Sequence, residues 1–259
     1  MRILLSNDDG VYAEGIRILH QELKKLGEVW VVAPLEEMST TGHSLTINKP
    51  LRLVSLEKNV YGVNGSPADC INLGVQHVMK GKPDLVVSGI NRGANLGQDV
   101  YYSGTVSAAR EACVMGIPAL AVSLNIDFKK AYTESKFNYS SAAKVALQVI
   151  KTMPKMDLPL HTLLNLNVPD LALKQIKGIR LAHQGFRHYD GAILKRKDHR
   201  GKDYFWLGGH YKGFRKDDDS DCHVVDQCFA SLTPLKLDAT DLDCLLSLHE
   251  EGVESIRIR

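Results

Sequence analysis

Apolar residues recur along this chain in two alternating rhythms. Short β-branched and aliphatic runs alternate with stretches in which apolar positions return every three or four residues, the mark of βαβ units around a mostly parallel sheet. Arg2 to Ser6 reads as a first strand. Ile16, Leu19, Leu23 and Leu26 stripe a helix closing at Gly27, and Val29 to Ala33 forms a second strand stopped by Pro34. Residues 34 to 48 carry no clean period. Leu51 to Val54 and Val60 to Val63 suggest a hairpin, Asp69 to Met79 a helix capped near Ser66, and Asp84 to Ser88 a buried strand around Leu85, Val86 and Val87. Thr105 to Met115 is helical, Pro118 to Ser123 a strand, Ser140 to Met153 a long helix, and Thr162 to Asn167 a strand ended by Pro169.

After residue 175 the helical period fades. A charged stretch with interleaved aromatics runs from Phe186 through Tyr204, Phe205 and Trp206 to Asp217, Asp218 and Asp219. Leu242, Leu245, Leu246 and His249 then mark a short last helix. The expected organisation is an α/β core over residues 1–175, a mostly parallel sheet sandwiched by helices. Residues 176–259 form a β-rich arm and C-terminal helix, a type of segment that serves packing or subunit exchange more often than chemistry.

Composition narrows the possibilities. A length of 259 residues fits one large α/β domain with an appendage. With 44% hydrophobic and 24% charged residues the chain is ordinary globular material, neither disordered nor a disulfide scaffold. A formal net charge of +2, without a basic stripe, argues against long nucleic acid as principal partner. The first residues lead straight into a strand rather than a signal peptide, and no apolar run approaches the roughly 20 residues needed to span a bilayer. Cytoplasmic location without a membrane partner is expected. Cys70, Cys113, Cys222, Cys228 and Cys244 are odd in number and lack CxxC spacing, so reduced thiols are the default. Cys113, in a small apolar helix pattern, reads as packing.

Ligands of open parallel sheets bind beyond the carboxyl ends of the strands, where strand order reverses. Three loops occupy such positions: Asn7-Asp8-Asp9-Gly10, Pro34 to Ser44, and Asn91 to Thr105. Two adjacent carboxylates at a strand end repel each other unless a cation or several donors compensate. Oxygen donors alone, from Asp8, Asp9, a hydroxyl such as Ser39 and an amide such as Asn91, select Mg²⁺, Mn²⁺ or Ca²⁺ over zinc. The competing reading makes Asp8 or Asp9 a helix N-cap. The third loop packs glycines, amides and hydroxyls and ends where a helix begins. There Ser103, Gly104 and Thr105 can cradle a phosphate at the helix N-terminus, or simply cap it. His43 is a candidate proton donor or an ordinary loop residue. Tyr101, Tyr102 and Trp206 can stack on a base or belong to core and interface. The chain contains no GxxxxGK[ST], GxGxxG, GxSxG or HExxH, which removes the usual support for triphosphatase, dinucleotide oxidoreductase, serine hydrolase and zinc protease readings.

At these residues the sequence resembles the SurE survival-protein family of acid-phosphatase-like, metal-dependent nucleotidases. The resemblance is carried by NDDG at 7–10, APLEEMSTTGHSLT at 33–46, GSPADC at 65–70, SGINRGANLG at 88–97 and YSGTVSAAREA at 102–112. It implies a Rossmann-like core and one divalent ion per subunit, Mg²⁺ or Mn²⁺, ligated by Asp8, Asp9, Ser39 and Asn91. It further implies Asn95 and the Ser103, Gly104 and Thr105 turn near the substrate phosphate, and a homodimer or homotetramer with exchanged C-terminal segments. The implied activity is hydrolysis of 5′- and 3′-nucleoside monophosphates, with short polyphosphate a further substrate of some members. Asp8 is the residue expected to take part directly, as base or, less in keeping with the missing DxD spacing, as nucleophile. A nucleotide-sensing protein and a glycosyltransferase-like enzyme are the rival readings, separated by turnover with metal and by a requirement for a sugar nucleotide.

Overall fold

The apolar runs assemble into one nine-stranded sheet of order β3-β4-β2-β1-β5-β6-β7-β13-β8 in a computed structural model that describes residues 1–127 and 136–251. Its strands are β1 (Arg2–Ser6), β2 (Glu28–Pro34), β3 (Leu53–Glu57), β4 (Val60–Val63), β5 (Leu85–Arg92), β6 (Ala119–Asn125), β7 (Thr162–Pro169), β8 (Ile179–Leu181) and β13 (Ala230–Lys236). From β4 through β7 every neighbouring pair is parallel, while β3 and β13 each run antiparallel to a neighbour. Both sheet faces are covered, which is why the strands read as continuous apolar runs. Within β1, Ile3 and Leu5 enter the core on one side and Leu4 the core on the other. The first core also takes Ile16, Leu19 and Leu23 of α1 (Glu14–Leu23) and Ala142, Ala146 and Val149 of α4 (Tyr139–Thr152). The second takes Cys70 and Ile71 of α2 (Pro67–Leu73) and Val106, Ala108 and Ala112 of α3 (Gly104–Val114). This is the expected Rossmann-like α/β architecture.

Strand order reverses at β1. The chain moves outward from β1 to β2 on one side, then returns to place β5 on the other, so the crevice of such a sheet opens beyond the carboxyl ends of β1 and β5. Asp8 and Asp9 follow β1, and Asn91 is the second-to-last residue of β5.

Several boundaries differ from expectation for local reasons. The helix expected over Asp69 to Met79 starts at Pro67 and is an α-helix only to Leu73, after which Gly74–Val78 widens into a π-helical turn. Its start is fixed by a capping box: Ser66 Oγ accepts from Asp69 N at 3.1 Å while Asp69 Oδ2 accepts from Ser66 N at 2.8 Å. The division at residue 175 also needs correction, because β8 and β13 lie in the central sheet and α5 (Asp221–Asp226) packs against β13 and β7. Pro234 hid β13, since proline removes a ladder donor and weakens a strand reading. The arm proper comprises β9 (Arg187–Tyr189) paired with β12 (Tyr211–Phe214), and the hairpin of β10 (Ile193–Lys197) with β11 (Asp203–Leu207). The expected last helix is α6 (Leu242–Glu250), with no residue buried. Residues 252–259 of the expected arm lie outside the described residues. No helix among those described is long and apolar enough to cross a membrane.

Candidate active site

The turn after β1 is built to present two carboxylates. Asn7 Nδ2 donates to Gly10 O at 2.8 Å, and Gly10 closes the turn at φ +99°, a left-handed value costly for any residue with a Cβ. Asp8 is held from three sides. Its carbonyl accepts from Met38 N at 2.7 Å, its Oδ1 accepts the Thr105 hydroxyl in a short hydrogen bond, and its side chain lies against Gly104. Asp9 turns toward β5, where its Oδ2 accepts from Arg92 N at 2.9 Å.

Asp8, Ser39, Asn91, Asn95 and Ser103 line one cavity of about 680 Å³ at this end of the sheet. Gly104 and Thr105 stand directly behind Asp8 on the first turn of α3. Asp9 is not among the lining residues; its link to the site runs through Asp8 and the end of β5. Asn91 Nδ2 donates to Gly93 O at 2.9 Å, which leaves its oxygen as the donor atom for a cation. Ser39 Oγ donates to Glu37 Oε1 at 2.7 Å and keeps its lone pairs. Ser103 caps α3, its Oγ accepting from Val106 N at 3.0 Å, so the helix end beside Asp8 has an ordered turn of N–H groups.

Burial pushes the carboxyls of both Asp8 and Asp9 up. Asp9 reaches about 7, with the neighbouring charge of Asp8 the next cause after burial, and Glu37 adds repulsion at both. Accumulated negative charge, which Arg92 offsets only in part at Asp9, is an arrangement that a divalent ion relieves. Among the described residues no three His, Cys, Asp or Glu side chains converge as a metal site. A cation here would therefore draw on two carboxylates completed by neutral oxygens, the hard donor set that suits Mg²⁺ or Mn²⁺. The residues fit the ion.

The same shifts predict a pH dependence of stability. A carboxyl whose folded value lies above its unfolded one binds more protons folded than unfolded across the gap, so stability falls as pH rises through it. Metal-free protein is expected to lose melting temperature between pH 3.8 and about 7, the window of Asp9. In Asp9→Asn that slope should flatten, and Mn²⁺ should raise the melting temperature more at about pH 8 than at about pH 5, where protons compete for its ligands. Thermal melts across pH with EDTA or Mn²⁺ check this.

His43 is drawn away from the cavity. Its Nε2 lies 2.6 Å from Glu111 Oε2, and Glu111 Oε1 accepts from Asn72 Nδ2 at 2.8 Å, pinning the 34–48 loop to α2 and α3. Tyr102 lines the cavity; Tyr101 faces a separate groove and Trp206 sits exposed on β11. Sequence reasoning missed the support of Asn95. Its backbone N donates to Asn167 Oδ1 at 2.8 Å, its carbonyl accepts from Asn165 Nδ2 and Asn167 Nδ2, and its own Nδ2 donates to Ser123 Oγ at 2.8 Å. All three partners are fully buried. The signal was present: Asn165 and Asn167 stand two apart in an otherwise apolar strand, hence on one face. Also missed was the arm, which brings Tyr189, Leu207, Gly208 and Gly209 to the same cavity.

A family model described as "Survival protein SurE" matches residues 3–191. The chain belongs to the SurE family. It is 46% identical over 250 residues to a protein of Geotalea daltonii named 5′-nucleotidase SurE, covering 96% of this chain and 98% of that one. A Vibrio vulnificus relative of the same name is 42% identical over 249 residues, covering 96% and 94%. Among solved structures, the SurE protein of Aquifex aeolicus superposes with a TM-score of 0.84 at 38% identity, covering 97% of this chain and all of that one. That likeness reaches well beyond the motif-rich first half of the chain.

Proposed function

We propose that this chain is a metal-dependent phosphomonoesterase that hydrolyses nucleoside monophosphates to nucleoside and phosphate, 5′-nucleotides foremost. The observation that carries the reading is the convergence of Asp8, Ser39 and Asn91 with the capped N-terminus of α3 in one cavity at the switch point of the sheet. Relatives named 5′-nucleotidase at more than 40% identity over nearly the full chain support the substrate class. Asp8, Asp9, Ser39 and Asn91 would hold one divalent ion per subunit, which would supply positive charge at the phosphoryl oxygens. The chain's own groups do the rest. The N-terminus of α3, with the hydroxyl of Ser103 and the amide of Asn95, draws and orients the phosphate through aligned N–H dipoles. Asp8, its carboxylate aimed by the Thr105 hydroxyl, accepts the proton of the attacking water as the new P–O bond forms and the ester P–O bond breaks. The leaving alkoxide then takes a proton, regenerating Asp8. 3′-Nucleotides and short polyphosphate carry the same terminal phosphate and are further proposed substrates.

The arm supports a homodimer or homotetramer that exchanges C-terminal segments. Leu207 is 87% exposed, Trp206 62% and Leu242 63%, an apolar display that a lone chain leaves in water. The five cysteines are all unpaired, in keeping with a reducing cytoplasm.

The test is phosphate release from 5′- and 3′-nucleoside monophosphates and tripolyphosphate with Mn²⁺, Mg²⁺ or EDTA. Turnover that needs metal and falls about a hundredfold in Asn91→Ala, the scale of a lost site donor, supports the reading. Nucleotide binding by metal-loaded protein with no phosphate release would replace it with a sensor.

A further inference from the structure

The cavity is far larger than a phosphate needs, and its lining mixes two chemistries. Beside the oxygen donors already described and Arg92, its lining includes Tyr102, Tyr189, Leu207, and Gly208 and Gly209 in the link between β11 and β12. Both tyrosines are solvent-accessible, Tyr102 at 65% exposure and Tyr189 at 41%. An apolar, flat-faced wall beside an anion site is the pattern of a pocket for a planar group attached to a phosphate.

The wall is not left to the flexibility of an arm. Gln98 and Asp99, in the same loop as Asn95 and Ser103, grip the root of the arm. Gln98 Oε1 accepts from Arg187 N at 2.8 Å and its Nε2 donates to Arg187 O at 2.7 Å, so the side-chain amide pairs with the backbone as a neighbouring strand would. Asp99 Oδ2 accepts from Arg187 Nη1 and from the Tyr189 hydroxyl, both at 2.6 Å. Arg187 is 5% exposed and its guanidinium lies 4.4 Å from the centre of the Tyr211 ring, so the ion pair is a buried joint rather than a surface contact. Burial and the bond to Asp99 keep the Tyr189 hydroxyl protonated and donating.

We propose that Tyr189 and Tyr102 form the wall that receives the nucleoside half of the substrate, and that Asp99 and Gln98 are positioning residues that lock this wall to the phosphate-binding loop. The arm thereby sets the preference for nucleoside monophosphates over compact phosphomonoesters. This inference rests on the phosphomonoesterase reading above and adds the substrate end that the reading leaves open.

The experiment compares kcat and KM for adenosine 5′-monophosphate and for glycerol 3-phosphate, which has the ester but no base, in wild type, Tyr189→Ala, Tyr189→Phe and Asp99→Asn, all loaded with Mn²⁺. The ratio of kcat/KM for the nucleotide to that for glycerol phosphate is expected to fall about tenfold in Tyr189→Ala, the size of one lost base stack, mainly through KM. Tyr189→Phe should fall between, since the ring remains but its tie to Asp99 is lost, and Asp99→Asn should resemble it. Turnover of glycerol phosphate reports that each variant is folded. Equal losses on both substrates, or a ratio unchanged in Tyr189→Ala, overturn the inference while the nucleotidase reading stands. A wild type that turns over glycerol phosphate but no nucleotide overturns both.

Discussion

Asp8→Asn is expected to lower phosphate release by about three orders of magnitude while leaving the fold intact, because it removes the charge that the proposed mechanism gives to both cation and reacting water. The substitution preserves shape and the acceptor that Thr105 engages. It removes one of the two carboxylates that make this end of the sheet attractive to a divalent ion. Asp8 is only 4% exposed and burial already disfavours its ionised form. In EDTA the variant is therefore expected to melt at the same temperature as wild type or higher, and the stabilisation that Mn²⁺ gives wild type should shrink. Steady-state turnover together with melts in EDTA and Mn²⁺ reads both effects. Wild-type turnover in Asp8→Asn would move the reacting centre elsewhere.

Gly104→Ala is the second large expectation, a loss of about a hundredfold from a single methyl group. A Cβ at this position would stand 2.7 Å from Asp8 Cβ, 2.9 Å from Asp8 Oδ2 and 3.1 Å from Pro67 Cγ. Real Cβ atoms do not approach that closely, so Asp8 or the first turn of α3 must shift. A displacement of about 1 Å at a reacting group costs on the order of 10² in rate. Stability should change far less than activity. Overpacking costs about 1–3 kcal/mol at a tight site, and alanine's better helix propensity offsets part of it. The check is kcat with saturating Mn²⁺ beside a urea melt. Full turnover would mean that Asp8 tolerates movement and that its tie to Thr105 is incidental.

Much of this molecule was legible in one dimension. Burial of the sheet on both faces forces unbroken apolar strands, so β1, β2, β5, β6 and β7 announced themselves, and the amphipathic stripe of α1 followed from a period of 3.6. Asp8, Ser39, Asn91 and Ser103 were singled out because polar residues after parallel strands end where ligands bind, Asn95 through the family resemblance alone, and the folded chain brings these five to one cavity. The side of the sheet on which the chain re-enters was not legible, yet it puts the end of β5 beside that of β1.

The remaining features depend on contacts between segments far apart in sequence, and no local period encodes those. Asp99 meets Arg187 and Tyr189 across about 90 residues, His43 is taken up by Glu111, and β13 returns through a proline-bearing segment to pair with β7. The chain by itself determined which residues are polar enough to do chemistry and which strands must be buried. The tertiary structure alone decided which of these residues share one cavity, and that Tyr189, Leu207, Gly208 and Gly209 of the arm also line it. Burial and proximity, the physical quantities that set charge and reach at a site, exist only once distant segments are packed together.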